Sequence, residues 1–256
     1  MINFNGQVYW TQFLITIGSR YVVFSLLAYL IFYKILKRYF LNNKIQSSLP
    51  RNIDFIRDIV FSLLSIAIFA SVAYVALYVF RPYNHVVYTS FEEFDKVWFV
   101  LSVPYMLLLH DAYFYWMHRF MHLPSIFKMV HLTHHKSTNP TPFTAYAFHP
   151  LEAVLEAGIV MLIAFLVPVH KYAILIFMLI QIAYNVYGHL GYDFYSARFI
   201  KSKFGKWINT GVAHNQHHKN FKGNYGLYTL IWDRCCGTLR SDYDDGFEKL
   251  DRQKVG

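Results

Sequence analysis

Charged side chains are scarce in this sequence. Asp, Glu, Lys and Arg make up 15% of its 256 residues, against about 25% in an ordinary soluble domain. Hydrophobic residues make up 55% of the chain and aromatic residues 20%. This balance argues against a soluble globular protein and favours an integral membrane protein.

Cysteine is also rare, and the two that are present, Cys235 and Cys236, are adjacent. Adjacent cysteines rarely bridge each other, so the sequence predicts reduced thiols rather than a disulfide framework. The H-E-x-x-H motif of zinc peptidases is missing. No nucleic-acid-binding module is recognisable despite a net charge of +9, so we expect no nucleic-acid partner.

Long apolar stretches dominate what the sequence does contain. They cover residues 13–33, 59–80, 97–109, 151–167 and 172–192. About 20 apolar residues are needed to cross a hydrocarbon core of about 30 Å. The two last stretches read as a helical hairpin whose first arm is short for a full crossing. The sequence therefore predicts an all-α membrane protein with four to five transmembrane or re-entrant helices. Arg20, in the first stretch, is expected to snorkel from its outer part toward a headgroup.

The basic residues indicate how the helices are oriented. Six Lys or Arg residues lie within residues 34–57, and the weaker basic content of residues 81–96 suits the opposite side. Because positive loops stay in the cytoplasm, this orients the chain as a multi-pass protein. We expect one membrane domain over 1–256, with N-terminal transmembrane helices in 1–96, a catalytic region in 97–240 and a tail in 241–256.

Histidines cluster in spaced groups after the third apolar stretch. They are His118 and His122, then His131, His134 and His135, and far downstream His214, His217 and His218. Residues three and four apart share one face of a helix, so each group is expected to present its imidazoles in one direction. One H-x-x-H-H motif would arise by chance roughly 0.03 times in a chain of this histidine content. Neutral imidazole is the commonest metal ligand, so the pattern indicates a metal centre on the cytoplasmic side.

These motifs also carry a family resemblance. HDAYFYWMHRFMH at 110–122, HLTHH at 131–135, TPFTAYAFHPLEA at 141–153 and HNQHH at 214–218 are followed by NYG and WDR. Together they resemble the fatty acid hydroxylase/sterol desaturase superfamily, on its sterol desaturase side. The resemblance implies a cytoplasmic helical cap that holds two iron ions. It also implies dioxygen as co-substrate and a lipid, sterol-like or fatty-acyl, that is hydroxylated or desaturated.

The resemblance implies nine metal ligands: His118, His122, His131, His134, His135, His189, His214, His217 and His218. His189 lies four residues after Asn185, where relatives on the hydroxylase side have H-x-x-x-H. Asn185 is expected either to hold a metal-bound water or to serve packing. An external electron donor, a b-type cytochrome or a ferredoxin with its reductase, is also implied, because the haem motif of a fused cytochrome is missing from the sequence.

Several neighbouring residues have two interpretations each. Asp111 is expected either to orient a ligating histidine or to cap an element, and His110 is a candidate tenth ligand. His149 is expected to orient a loop. Glu156, inside an apolar stretch, is either functional or paired at a helix end. We expect Trp232-Asp233-Arg234 to be structural, and His85 and His170 to be solvated in outer loops.

Two other classes of protein are alternatives to an oxygenase. A non-enzymatic metal transporter or sensor would place its ligands near the bilayer midplane or in histidine-rich loops, whereas these lie at helix ends. A bis-histidine haem cytochrome needs single histidines within helices. We expect a multi-pass location in the inner membrane of a bacterium or in the endoplasmic reticulum of a eukaryote.

Overall fold

The computed structural model describes residues 4–81, 87–91 and 95–255. Over these residues the chain is mostly helical. The α-helices are α1 (Phe4–Tyr29), α2 (Asn52–Tyr74), α3 (Lys96–Met121), α4 (Pro124–Val130), α5 (Leu132–His135), α6 (Pro150–Leu166), α7 (Lys171–His189), α8 (Ala197–Ile200), α9 (Gly211–Asn220), α10 (Ile231–Cys235) and α11 (Tyr243–Val255). Two short strands, β1 (Val87–Tyr88) and β2 (Val169–His170), pair in parallel. The prediction of an all-α class is confirmed.

Four of the helical stretches are long and apolar enough to cross a membrane. They are Gly6–Ile35, Asn52–Val79, Lys96–Met121 and Lys171–His189. The first two include π-helical turns that extend α1 and α2. Helix α6 has 17 residues and is not among the four, which agrees with the prediction of a short first arm in the hairpin. The chain is an integral membrane protein.

Side-chain caps and prolines set where the later helices begin. The carboxylate of Asp95 accepts a hydrogen bond from the backbone nitrogen of Val97 at the start of α3. The rings of His149 and His170 cap α6 and α7 in the same way. Pro124 and Pro150 occupy first helical positions, where the missing N–H is not needed. A side-chain cap therefore satisfies an otherwise unpaired donor at the start of α3, α6 and α7, and proline removes a donor at the start of α4 and α6.

A 3₁₀ segment, Pro142–Tyr146, fills the space between α1, α2 and α7. Hydroxyl groups from the helices donate to its backbone: Ser25 to the Pro142 carbonyl, and Tyr21 and Ser62 to the Phe143 carbonyl, each at 3.0 Å. These carbonyls would otherwise be buried without partners, at a cost of roughly 1–3 kcal/mol each. The chain that follows the second histidine motif is thus fixed against the membrane helices.

The C-terminal segment forms a helical layer over the far end of the bundle. Helix α11 buries Tyr243, Phe247 and Leu250, at i, i+4 and i+7 spacing, against Val212 of α9. At the end of α9, Phe221 adopts a left-handed conformation with φ of 61°. This turn reverses the chain so that the following loop, residues 222–230, lies back against α9 and α3.

Candidate metal centre

Nine imidazoles form two clusters where the ends of α3 and α7 meet α5 and α9. The first cluster contains five histidines, whose ligand nitrogens all lie within 4.8 Å of one another: His118, His122, His131, His135 and His217. The second contains four, within the same limit: His134, His189, His214 and His218. All nine histidines that the resemblance implies as ligands are therefore in one cluster or the other.

The distances between the imidazoles match a shell of metal ligands. In the first cluster, Nε2 of His131 lies 3.0 Å from Nε2 of His118 and 3.1 Å from that of His135. In the second, His189 Nε2 lies 2.9 Å from His214 Nε2 and 3.2 Å from His134 Nε2. Two nitrogens bound about 2.1 Å from one metal ion at a right angle would be about 3.0 Å apart. The spacing is thus that of neighbouring ligands around an ion.

The spacing predicted that each H-x-x-H-H motif presents all of its imidazoles in one direction. The structure shows instead that each motif presents them in two directions. In α4–α5, His131 and His135 join the first cluster while His134 joins the second. In α9 the i and i+4 pair, His214 and His218, joins the second cluster and His217 joins the first. Neighbouring positions on a helix differ by about 100°. Each motif can therefore supply ligands to two sites at once.

Oxygen acceptors contact the outer ring nitrogens of five of the nine clustered histidines, while Nδ1 of His134 and of His135 has no partner in the described part of the chain. The Nδ1 contacts are His118 to the Tyr225 carbonyl at 2.9 Å, His131 to Glu152 Oε1 at 2.6 Å, His189 to the Asn185 carbonyl at 2.8 Å, His217 to the Gly223 carbonyl at 2.7 Å and His218 to the Ser137 carbonyl at 3.0 Å. An acceptor at Nδ1 places the proton there and leaves a lone pair on Nε2. Lone pairs that converge at about 3 Å repel, and a cation between them removes the repulsion. The residues therefore fit one metal ion per cluster.

Burial keeps these imidazoles neutral. It lowers the pKa of the clustered histidines that lie outside the spanning helices, and the nearby imidazoles lower it further: His122, His131, His134, His135, His214, His217 and His218. Since a metal binds the unprotonated ring, a lowered pKa leaves the ligands ready at neutral pH.

Glu152 is a functional residue that the sequence analysis missed. Its carboxylate, fully buried in α6, contacts His131, also buried. Metal-ligating histidines commonly donate their second N–H to a carboxylate, which fixes the ring and makes it a stronger ligand. Its place two residues after Pro150, in the first turn of an apolar helix, was the available signal.

Asp111 and Asp233 hold the loop that supplies acceptors to the first cluster. Asp233 accepts from the backbone nitrogens of Tyr225 and Gly226 at 2.9 and 2.7 Å, which confirms the structural role expected of it. Asp111 accepts from the backbone nitrogens of Tyr228 and Thr229 and from the Thr229 hydroxyl. These contacts are the capping role of the two that were considered for Asp111.

The other candidate residues have roles outside the clusters. His110 lies in neither cluster, and its Nδ1 lies 2.9 Å from the hydroxyl of Tyr228. His149 caps α6, as a residue that orients a loop would. The amide nitrogen of Asn185 donates to the Ala145 carbonyl at 2.9 Å, which is the packing role of the two that were considered.

The prediction that His170 is solvated was wrong. His170 is fully buried in β2, where its ring stacks on Phe91 with centroids 4.2 Å apart. Its Nε2 lies 3.0 Å from the Thr89 carbonyl. The ring is buried because it both caps α7 and joins the two short strands. His85, for which the same prediction was made, lies outside the described residues.

An apolar cavity of about 440 Å³ lies beside the clusters and is bounded by α1, α2, α3, α6 and α7. Phe148 and His110 form part of its wall. The Phe148 ring lies 5.0 Å, between centroids, from the His134 ring of the second cluster. Phe114 contacts both His110 and His118 of the first cluster. One aromatic ring, Phe148, thus lies between the cavity and the second cluster, and two rings, His110 and Phe114, lie between the cavity and the first cluster.

The fold and the site define a class: an integral membrane protein whose helix ends hold two histidine clusters, each able to bind a metal ion. Comparison with known proteins gives the family. Residues 103–238, more than half of the chain, match the fatty acid hydroxylase family, and the chain belongs to it. The resemblance noted from the histidine motifs is confirmed.

Characterised relatives lie on the sterol desaturase side of this family. A Delta(7)-sterol 5(6)-desaturase of Leptosphaeria maculans is 31% identical over 163 residues, 63% of this chain and 44% of the relative. The lathosterol oxidase of Mus musculus is 31% identical over 188 residues, 72% of this chain and 60% of the relative. The chain thus spans about half the length of these relatives. No solved structure matches the chain.

Proposed function

We propose that this protein is a membrane-bound di-iron oxygenase that hydroxylates or desaturates a lipid. The observation that carries the proposal is the pairing of two histidine clusters with an apolar cavity that one or two aromatic rings separate from them. Zinc could occupy such ligands but has no redox chemistry. Iron in both positions would supply the electron transfer that activates dioxygen. The names of the relatives favour a sterol-like substrate over a fatty-acyl one.

The chain's own residues would bind the two metal ions, orient the ligand rings and exclude water from the substrate. The nine histidines would hold the two ions, and the acceptors at Nδ1 would keep their rings in place. The cavity wall would hold an apolar body and keep water from the reacting carbon. Hydroxylation of a C–H bond by dioxygen uses two external electrons and two protons and releases one water. Desaturation uses the same electrons and protons and releases two waters.

Two further proposals concern the surroundings of the site. The basic residues 34–57 and the histidine clusters would face the cytoplasm, in the endoplasmic reticulum of a eukaryote or the inner membrane of a bacterium. A b-type cytochrome, or a ferredoxin with its reductase, would deliver the electrons to that side. Lys44, in this segment, donates to the Gln46 and Ser48 carbonyls.

Iron-loaded full-length protein in lipid nanodiscs tests the function directly. It would be supplied with a chemical reductant, ¹⁸O-labelled dioxygen and either a Δ7-sterol or a fatty acyl lipid, and products would be identified by mass spectrometry. With the iron-loaded protein we expect a labelled hydroxyl group on the lipid or the loss of two hydrogen atoms from it. With the zinc-substituted protein we expect neither product. Unchanged lipids with a fully iron-loaded protein would contradict the proposal.

A further inference from the structure

The histidine clusters come near the protein surface at the end of α9. Of the nine clustered histidines, eight are buried and His122 alone is partly exposed. The backbone of Phe221 forms a hydrogen bond with the His122 ring. The Phe221 ring lies 5.2 Å, between centroids, from the ring of His135, and 38% of Phe221 remains exposed. Phe221 therefore reaches from the surface to two histidines of the first cluster.

Phe221 holds a backbone conformation that is unfavourable for its side chain. Its φ of 61° lies in the left-handed region, which bulky residues rarely adopt. Helices often end on a left-handed residue, but that residue is usually glycine or asparagine. The other two left-handed residues of the same loop, Gly223 and Asn224, are of these usual kinds. A ring is thus kept at position 221 despite strain, and such strain often marks a functional position.

Three rings pack together at this point of the surface. Phe127, of α4, lies 5.9 Å from Phe221 and 5.5 Å from His135 between ring centroids. The Phe127 ring also lies 5.0 Å from the ring of His122. The rate of electron transfer between proteins falls steeply with distance. A redox protein placed over Phe221 would be separated from a histidine of the first cluster by one ring.

The surface around these rings is basic. No Asp or Glu occurs within two residues of any of the three rings in the sequence. Asp242, on which the charge of Lys219 acts, is already paired with Arg240 at 2.8 Å. Four exposed lysines lie within two residues of one of the rings: Lys128, Lys136, Lys219 and Lys222. These lysines and Phe221 are called the Phe221 surface below.

We infer that the Phe221 surface is the docking site of an acidic electron-transfer protein, which delivers electrons to the first cluster across the Phe221 ring. The inference rests on the proposed function and deepens it, because it gives the charge of the partner and the place where it binds. Each encounter would oxidise one reduced donor by one electron, so two encounters would supply the two external electrons. The ring shortens the distance and is itself neither oxidised nor reduced.

Charge complementarity makes the binding step testable without any oxidation of lipid. The full-length, zinc-substituted protein in phosphatidylcholine nanodiscs would be mixed with the soluble haem domain of an acidic b-type cytochrome. Opposite charges steer association and can raise its rate by about 10- to 1,000-fold. Lys219→Glu combined with Lys222→Glu should therefore slow association about tenfold or more at low salt. The difference should shrink as the salt concentration rises, because salt screens exposed charges.

The matched control changes the net charge equally at other exposed positions. Lys203→Glu combined with Lys249→Glu alters two exposed lysines elsewhere in the C-terminal layer. This control should change the association rate little, because neither lysine belongs to the Phe221 surface. All four lysines are exposed, so the variants should fold as the wild type does.

The role of the ring is tested by electron transfer within the complex. Glycine adopts a positive φ without strain, so Phe221→Gly should keep the fold and the metal content. In anaerobic stopped-flow experiments with iron-loaded protein, a saturating amount of reduced cytochrome should be reoxidised more slowly by Phe221→Gly than by the wild type. Phe221→Tyr keeps the ring and should keep the wild-type rate. Dithionite needs no docking and should reduce all three proteins equally fast.

Three results would overturn the inference. The first is no association of the acidic cytochrome with the wild-type protein, or an equal loss in both lysine pairs. The second is faster reduction of Phe221→Gly by dithionite and cytochrome alike, since the ring would then only shield the cluster. The third is loss of the lysine effect when phosphatidylserine is added to the nanodiscs, since the lysines would then bind lipid head groups.

Lipid oxidation would be measured on the same preparations, so that the two proposals can fail separately. Lysine-dependent docking and electron transfer without any oxidised lipid would remove the proposed function and leave the docking surface. Oxidation of lipid with electrons from the cytochrome, at a rate that does not depend on Lys219 and Lys222, would do the reverse.

Discussion

Oε1 of Glu152 lies 2.6 Å from Nδ1 of His131, and both side chains are buried. This contact joins α6, which forms part of the cavity wall, to the first histidine cluster. A carboxylate behind a ligating imidazole increases the ring's basicity and fixes its direction. The same helix therefore lines the apolar cavity and fixes a histidine of the first cluster.

Replacing Glu152 should weaken metal binding without emptying the site. We expect Glu152→Ala to lower metal affinity at the first cluster by about 10- to 100-fold, because His131 loses the acceptor that orients it. Glu152→Gln keeps an acceptor and should recover part of the affinity. Competition with a chelator, followed by elemental analysis, measures the change. Glu248→Gln, at an exposed ion pair with Lys201, is the control, and an equal loss of metal in that variant would contradict the assignment.

The two clusters should lose their metal ions separately. His214→Ala combined with His218→Ala removes half of the second cluster and should leave about one ion per protein instead of about two. His217→Ala should deplete the first cluster instead. Elemental analysis of anaerobically purified protein counts the ions. Complete loss of metal in the double variant would show that the clusters bind as one unit, against this prediction.

His189 tests a ligand that lies outside the recurring motifs. His189→Ala should lower the metal content to about one ion and abolish turnover, because its Nε2 is 2.9 Å from that of His214. His170→Ala is the control, since His170 caps the other end of the same helix. It should cost about 1 kcal/mol of stability and leave the metal content unchanged. Full metal content in the His189→Ala protein would leave the centre with eight histidines.

Local spacing was enough to find the clustered histidines but not how they divide between the two clusters. The i and i+4 repeats identified His131, His135, His214 and His218, because a helix fixes which residues share a face. The division between two clusters depends on how α5 and α9 pack against each other, which sequence spacing does not specify. His189 was found because it retains the four-residue spacing after Asn185.

Long-range partners were the part that the sequence could not reveal. Glu152 is 21 residues from His131 in the sequence, and Asp111 is 117 residues from the Tyr228 nitrogen that it holds. Nothing in either local pattern encodes those pairings. His170 was expected in solvent because it follows Pro168 at the end of an apolar stretch, yet the packing of β1 and Phe91 buries it. The positions of the spans, by contrast, depend on composition and were predicted, although the first two spans begin at Gly6 and Asn52, each seven residues before its predicted start.

Asp58 should connect membrane-helix packing with the second cluster. Its carboxylate accepts from Ser137 Oγ at 2.7 Å and from Thr144 Oγ1 at 2.5 Å, and Ser137 presents its carbonyl to His218. Asp58→Ala would leave the Arg57 guanidinium without this buried partner, so we expect a loss of about 3 kcal/mol or more. Thermal unfolding and metal affinity should both decline.

Asp244→Asn, at an exposed position in α11, is the control for the Asp58 variant. Asp58→Asn keeps the shape and one acceptor, so it should lose less stability than Asp58→Ala. If Asp58→Ala lowers stability but leaves the affinity of the second cluster for metal unchanged, the Ser137 connection does not position His218.

Acid should destabilise the metal-free protein. Burial lowers the pKa of His131, His134, His135, His214 and His217 in the folded state, while the unfolded chain keeps values near about 6.5. Below that pH the unfolded chain binds protons that the folded clusters exclude, so the free energy of unfolding falls as the pH falls. Each such proton is worth about 1.4 kcal/mol per pH unit. Thermal midpoints of chelator-treated protein should therefore be constant above pH 7 and should decrease steadily from pH 6.5 toward pH 5.

The His214→Ala and His218→Ala double variant, with fewer buried imidazoles, should show a shallower decrease. A midpoint that does not change between pH 7.5 and pH 5.5 would mean that the clusters accept protons when metal is removed, and that burial does not keep these ligands neutral.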